Sequence, residues 1–172
     1  MAACLVVYSS VTGNTRMVAE AVREALPEGT LLCPVKDAPA PDAFDFIALG
    51  FWVHRAGPDP RMTRYMASVR GKDVAFFGTL AAYPDSDHAQ KVRARAADLL
   101  EGNTILGSFL CQGKLAQKRF EKRMADTSPN SGHPMTPERR ARLLEAARHP
   151  DTQDLENARA LFRSLYAAHG TL

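Results

Sequence analysis

The chain has 172 residues, is 45% hydrophobic, and carries 22 Lys+Arg against 19 Asp+Glu, a formal net charge of +3. That length and apolar content suit a single domain spanning 1–172 with a real core, and no apolar run is long enough for a membrane span. The Met1-Ala2-Ala3 start lacks the basic residues and long apolar core of a signal peptide, and Cys4, Cys33 and Cys111 form neither CxxC pairs nor an even disulfide set, so a reducing, cytoplasmic location is expected.

Short apolar runs alternate with amphipathic stretches, the pattern of βαβ units and a parallel sheet. The first strand is expected near 3–9, and Ser9, Ser10, Val11, Thr12, Gly13, Asn14 and Thr15 follow it. The hydroxyls of Ser10, Thr12 and Thr15, with backbone N–H groups freed at the next helix start, can bind a phosphate without a lysine. A helix is expected over 14–26 and a second strand near 30–35, with Pro34, Pro39 and Pro41 punctuating the connection to a third strand near 44–51. The segment Gly50 to Pro58 then reads as a loop and holds the one tryptophan, Trp52.

A helix near 59–70, a strand near 72–78, a loop from Gly78 to Ser86, a helix near 86–101 and a strand near 104–111 complete the alternation. Asp85-Ser86-Asp87 supplies a helix start with acids at the positive dipole end. Five such strands fit a doubly wound sheet whose ligand lies outside the carboxyl ends of the strands, which selects the three loops 9–15, 51–58 and 78–86.

The run Ser10-x-Thr12-Gly13-Asn14-Thr15 at the end of a first strand resembles the FMN phosphate loop of flavodoxins. The resemblance covers about 1–113. It implies an α/β fold of three layers around a doubly wound five-stranded parallel sheet of order 2-1-3-4-5, with extra helices at the C-terminal end. It also implies FMN as cofactor, held by Ser9 to Thr15, by Phe51, Trp52, Val53 and Gly57, and by Gly78, Thr79, Leu80, Tyr83 and Asp85. Trp52 and Tyr83 would stack on the ring, and Gly78 would let the ring approach the backbone closely. Gly57 is the glycine available for a carbonyl turn beside the ring, although it lies five residues beyond Trp52, further than the family places it. His54 and Arg55, if near the ring, would make its potential less negative.

The charge departs from the acidic balance typical of flavodoxins, and the excess is local. Residues 114–148 hold nine basic against four acidic residues, a net +5, which leaves the remainder at −2. Within this basic helical extension (114–150), Ala116, Phe120 and Met124 repeat every four residues as an apolar stripe, and further helices are expected near 137–148 and 151–168. The basic surface suits docking of an acidic redox partner, and no nucleic-acid-binding fold accompanies it.

No GxGxxG, GxxxxGK[ST], GxSxG or HExxH motif occurs, so no dinucleotide, triphosphatase, hydrolase or metal site is expected. The reading is an FMN electron carrier serving a partner reductase, with a bilin-type reductase as candidate. An FMN-dependent NAD(P)H or quinone/tetrapyrrole oxidoreductase and a flavin-free interaction module are the alternatives.

Overall fold

The computed structural model describes residues 3–169. In chain order the strands are β1 (Cys4–Tyr8), β2 (Leu31–Pro34), β3 (Phe46–His54), β4 (Gly57–Pro58), β5 (Asp73–Leu80) and β6 (Thr104–Gln112). The helices are α1 (Asn14–Glu24), α2 (Pro60–Met66), α3 (Asp87–Leu99), α4 (Gln117–Ala125), α5 (Pro137–Ala146) and α6 (Thr152–Ala167). Five strands run parallel in the order β2-β1-β3-β5-β6, and β4 pairs antiparallel with β3. The doubly wound order expected from the sequence is therefore present in the long strands, with one two-residue strand added.

The two faces of the sheet follow from strand alternation. Leu5 and Val7, Ile47 and Leu49, and Val74 and Phe76 point to one face, where α2 and α3 bring Met62, Met66, Val92 and Ala96. Cys4 and Val6, Phe46 and Ala48, and Ala75 and Phe77 point to the other, against Val18 and Val22 of α1 and Ala158 and Phe162 of α6. Helix α6 packs closely because β6 has a glycine beneath it: a Cβ on Gly107 would lie 2.8 Å from a Leu165 methyl. All three central strands, β1, β3 and β5, are apolar on both faces, as parallel sheets covered by helices require.

Side-chain caps start most of the helices. Asp59 accepts from Arg61 N and Met62 N, Ser86 from Ala89 N, and Thr136 from Arg139 N, while Asp151 and Asp154 form a reciprocal capping box. Helix α4 differs from the stripe expected of it. Ala116 is its exposed N-cap, Phe120 and Met124 are only half-buried, and no residue of the helix is fully buried. With three apolar residues in a strongly charged stretch, α4 rides on the surface beyond the sheet's carboxyl edge.

Candidate functional site

The loop after β1 closes on itself before α1 begins. Ser10 Oγ accepts a hydrogen bond from Gly13 N at 3.1 Å, and Gly13 takes a left-handed φ of 92°, which glycine adopts without a steric penalty. Helix α1 has no side-chain cap, so its first-turn N–H groups and positive dipole end are left for an anion. Val11 and Thr12 stand exposed on the loop, whereas Asn14 and Thr15 are buried beneath it.

Asn14 and Thr15 join the loop to two other segments. Thr15 Oγ1 and Thr79 Oγ1 share a hydrogen bond of 2.8 Å, linking α1 to the end of β5. Asn14 Nδ2 donates to Lys114 O at 2.8 Å, which fixes the amide with its oxygen on the opposite side. That Oδ1 is buried and has no partner among the described residues. A buried acceptor left unpaired costs about 1–3 kcal/mol, so a hydroxyl donor beside the phosphate site would complete it. Uncapped helix, left-handed glycine and orphaned amide oxygen together fit a polyol phosphate.

Ser9 serves the frame rather than the loop. Its N–H donates to Gly50 O at 2.8 Å and its Oγ to Asp59 Oδ1 at 2.9 Å, tying β1 to β3 and to the start of α2.

The stretch read as a loop after β3 is a hairpin. Strand β3 continues through Trp52 and Val53 to His54, and turns back at Arg55 and Ala56, whose φ values of 47° and 62° make a two-residue turn with both residues left-handed. Arg95 Nη1 holds the turn by donating to Arg55 O. His54, Arg55, Gly57 and Arg95 line a separate hollow, so these charges face away from the phosphate loop's recess. Gly57 has an ordinary φ, and a Cβ there would meet Arg95 at 3.4 Å, a normal contact. Phe51 is fully buried in the core, its ring 6.1 Å from that of Phe76. Trp52 is half-buried, edge-on to His54 at 5.5 Å.

Strand β5 also runs further than expected, so Gly78, Thr79 and Leu80 are strand residues. The space beside Gly78 is occupied by the core: its Cβ would lie 2.8 Å from Phe51 and 2.9 Å from Leu110. The expected reason for this glycine, close approach of a ring, gives way to sheet packing. Tyr83 and Asp85 are exposed on the turn beyond and do not line the recess.

A single recess of about 190 Å³ gathers Val11, Thr12, Asn14 and Thr15, then Trp52 and Val53, then Thr79, Leu80 and Ala81. Its fourth wall is Gly113, Lys114, Leu115 and Ala116, with Arg119 of α4, and the sequence reading did not select it. Gly113 N donates to Leu80 O at 2.9 Å, and a Cβ on Gly113 would lie 2.8 Å from Asn14 Nδ2 and 3.2 Å from Thr79 Cβ. The available signal was the glycine at the carboxyl end of the last strand, the edge on which the other three loops lie. The charged side chains lining the recess are Lys114 and Arg119, both cationic. Cys111 lies nearby but is 2% exposed, and burial pushes its thiol well above the ordinary range, away from reactivity.

His149, Asp151 and Asp154 bring three ligand-type groups together at the α5–α6 junction. They are engaged with each other and with the helix start: His149 Nδ1 lies 2.6 Å from Asp154 Oδ2, and His149 Nε2 3.1 Å from Glu145 Oε1. Burial would lower the pKa of His149, but these hydrogen bonds outweigh it and hold it above its ordinary value.

A family model of the flavodoxin domain matches residues 5–163. The chain is 29% identical over 161 residues to the flavodoxin-like domain-containing protein BilS of Clostridioides difficile strain CD3, covering 90% of each. Among solved structures, it resembles a flavodoxin, WrbA-like protein from Agrobacterium tumefaciens with a TM-score of 0.61 at 17% identity over 99% of both chains. It also resembles a flavoprotein in complex with FMN from Lactobacillus acidophilus NCFM, with a TM-score of 0.53 at 14% identity over 64% of this chain and 93% of that one. Together with the sheet order and the loop at residues 10–15, the family match places the chain in the flavodoxin family, whose cofactor is FMN.

Proposed function

We propose that the protein is an electron carrier that binds FMN in the recess between β1, β3, β5 and the segment after β6, and that it serves a partner reductase. The observation that carries this reading is the orphaned Asn14 Oδ1 beside an uncapped helix start. Backbone N–H groups at 14–16 and the hydroxyl of Thr12 would hold the phosphate, Asn14 Oδ1 would accept from the polyol chain, and Trp52 and Leu80 would supply apolar wall to the ring. FMN, when bound, supplies the redox chemistry, and the protein supplies binding, orientation and electrostatics.

The basic helices α4 and α5 lie beyond the same edge of the sheet, which supports docking of an acidic reductase there. The similarity to the protein named BilS, and the resemblance of Phe77 to Pro84 to short flavodoxin-domain proteins that work with reductases, favour a bilin-type reductase as that partner. Titration of the purified protein with FMN tests the site: quenching of flavin fluorescence at a 1:1 ratio is expected. Adding NAD(P)H with and without a candidate reductase then tests the carrier role. Rapid NAD(P)H oxidation by the flavoprotein alone would overturn it in favour of a self-sufficient oxidoreductase.

A further inference from the structure

Next to the recess lies a second hollow of about 440 Å³, within the size range of small-molecule sites. The two share Val53, Leu80, Ala81, Leu115 and Arg119, so one wall serves both. Around the second hollow stand Arg119 and Arg123 of α4, Arg139 and Arg142 of α5, His133 of the connecting segment and His88 of α3. Among the described residues, no carboxylate lines it.

What marks this hollow is that four guanidinium groups gather around it with no acid between them; other arginines are either paired or stand dispersed over the surface. Arg16, Arg148 and Arg159 each pair with a glutamate. None of the four groove arginines pairs with an acid among the described residues; Arg139 Nη1 donates only to the carbonyl of Pro134. Arg142 Nε is buried with no hydrogen-bond partner among the described residues. Four guanidinium groups facing one hollow repel each other, and a buried N–H donor left unpaired is costly, so the arrangement is completed by an acceptor-rich anion.

The hollow also has an apolar side, made by Val53, Leu80, Leu115 and Leu143, of which Leu80 and Leu143 are buried. Exposed cations alone would suit the acidic rim of a protein. A recessed apolar wall with guanidinium groups around it suits a small molecule with a flat apolar body and more than one acid group.

We infer that this groove is a binding site for an apolar organic polycarboxylate, seated against the wall it shares with the flavin recess. The assignment of the neighbouring recess to FMN is the reading on which it rests. Arg123 and Arg142 contact only the second hollow, so they separate the two sites.

The experiment uses the FMN-loaded full-length protein and naphthalene-2,6-dicarboxylate as probe, followed by calorimetry and by the flavin absorption spectrum. Saturable 1:1 binding with a perturbed flavin spectrum is expected, weaker for the monoacid 2-naphthoate. Arg123→Gln and Arg142→Gln should each weaken the probe about tenfold, as loss of one charge-assisted contact does, with FMN affinity unchanged. Arg123 is exposed, so its substitution tests the site even if the Arg142 variant folds poorly. Absence of saturable binding to the loaded protein would overturn the inference, as would binding indifferent to both substitutions. If a ten-residue polyglutamate peptide binds through these arginines and the probe does not, the groove is a protein-docking surface and the inference fails. If the substitutions weaken FMN itself, the groove belongs to the flavin site and the inference also fails. A protein that never takes up FMN would instead remove the proposed function on which the groove's role depends.

Discussion

Asn14 and Lys114 stand 100 positions apart in sequence, and a 2.8 Å hydrogen bond from the Asn14 amide to the Lys114 carbonyl joins the two sides of the recess. The bond orients Asn14 so that its oxygen is left as a buried acceptor with no donor among the described residues. Asn14→Ala should weaken FMN binding about tenfold through loss of one contact to the cofactor. Asn14→Asp should weaken it more, since a carboxylate there repels both the Lys114 carbonyl and a phosphate. Fluorescence titration of the two variants checks the order.

Two glycines around the recess are required for different reasons. Gly113→Ala drives a methyl against Asn14 and Thr79, and should cost about 1–3 kcal/mol of stability with weakened FMN binding. At Gly13 nothing lies within 4 Å of the added Cβ, so Gly13→Ala should cost only the roughly 1–2 kcal/mol of a left-handed backbone. Asn at position 13 should recover part of that loss, because it tolerates this conformation better, whereas Asn at 113 should be worse than Ala. Thermal denaturation of the four variants decides between the two accounts.

The cationic groups that line the recess are Lys114 and Arg119, not Arg55. Arg119→Glu and Lys114→Glu should therefore lower the potential of bound FMN by on the order of tens of millivolts, since a negative charge disfavours electron uptake. Arg55→Glu, on the far side of the hairpin, should shift it less. A redox titration in which Arg55→Glu gave the largest shift would contradict this placement.

Lys114, whose carbonyl accepts from Asn14, also donates its N–H to His149 O at 3.0 Å. The pKa of His149 is raised in the folded protein, so its contribution to stability is full below the unfolded value of about 6.5 and is lost as pH rises through the higher folded value. Melting temperature should fall over that interval, and His149→Gln should flatten the fall. The readout is a series of thermal melts in matched buffers of constant ionic strength.

Thr15 and Thr79 form a buried hydroxyl pair linking α1 to β5. Thr15→Val strands the Thr79 hydroxyl and should cost about 1–3 kcal/mol, while the double replacement by valine should recover much of it. A double-mutant cycle by urea denaturation measures the coupling.

What the sequence made legible was local. Ser10 to Thr15 announce themselves because the turn, the left-handed glycine and the helix start are neighbours along the chain. The alternation of apolar runs likewise carries the parallel sheet, whereas its strand order came from the resemblance to flavodoxins. Gly78 misled because a glycine reports only that something is close, and here the neighbours are Phe51 and Leu110 from two other strands. The hairpin at Arg55-Ala56 was hidden because its left-handed turn uses neither Asn nor Gly and is braced by Arg95, forty positions away. Gly113 and Lys114 are legible as lying on the ligand edge of the sheet, but their part in the recess is not, because the partners Asn14, Thr79 and Leu80 are remote in sequence.

The fourth wall of the recess has a consequence for the order of events during synthesis. Three walls come from the first 81 residues, whereas the last comes from 113–119. A nascent chain emerging N-terminus first presents the phosphate loop early, but the enclosure is complete only when the final strand has paired and the residues after it have crossed the start of α1. Retention of a cofactor is thereby coupled to near-completion of the polypeptide, and a chain interrupted before residue 113 would carry the recognisable loop without the seat.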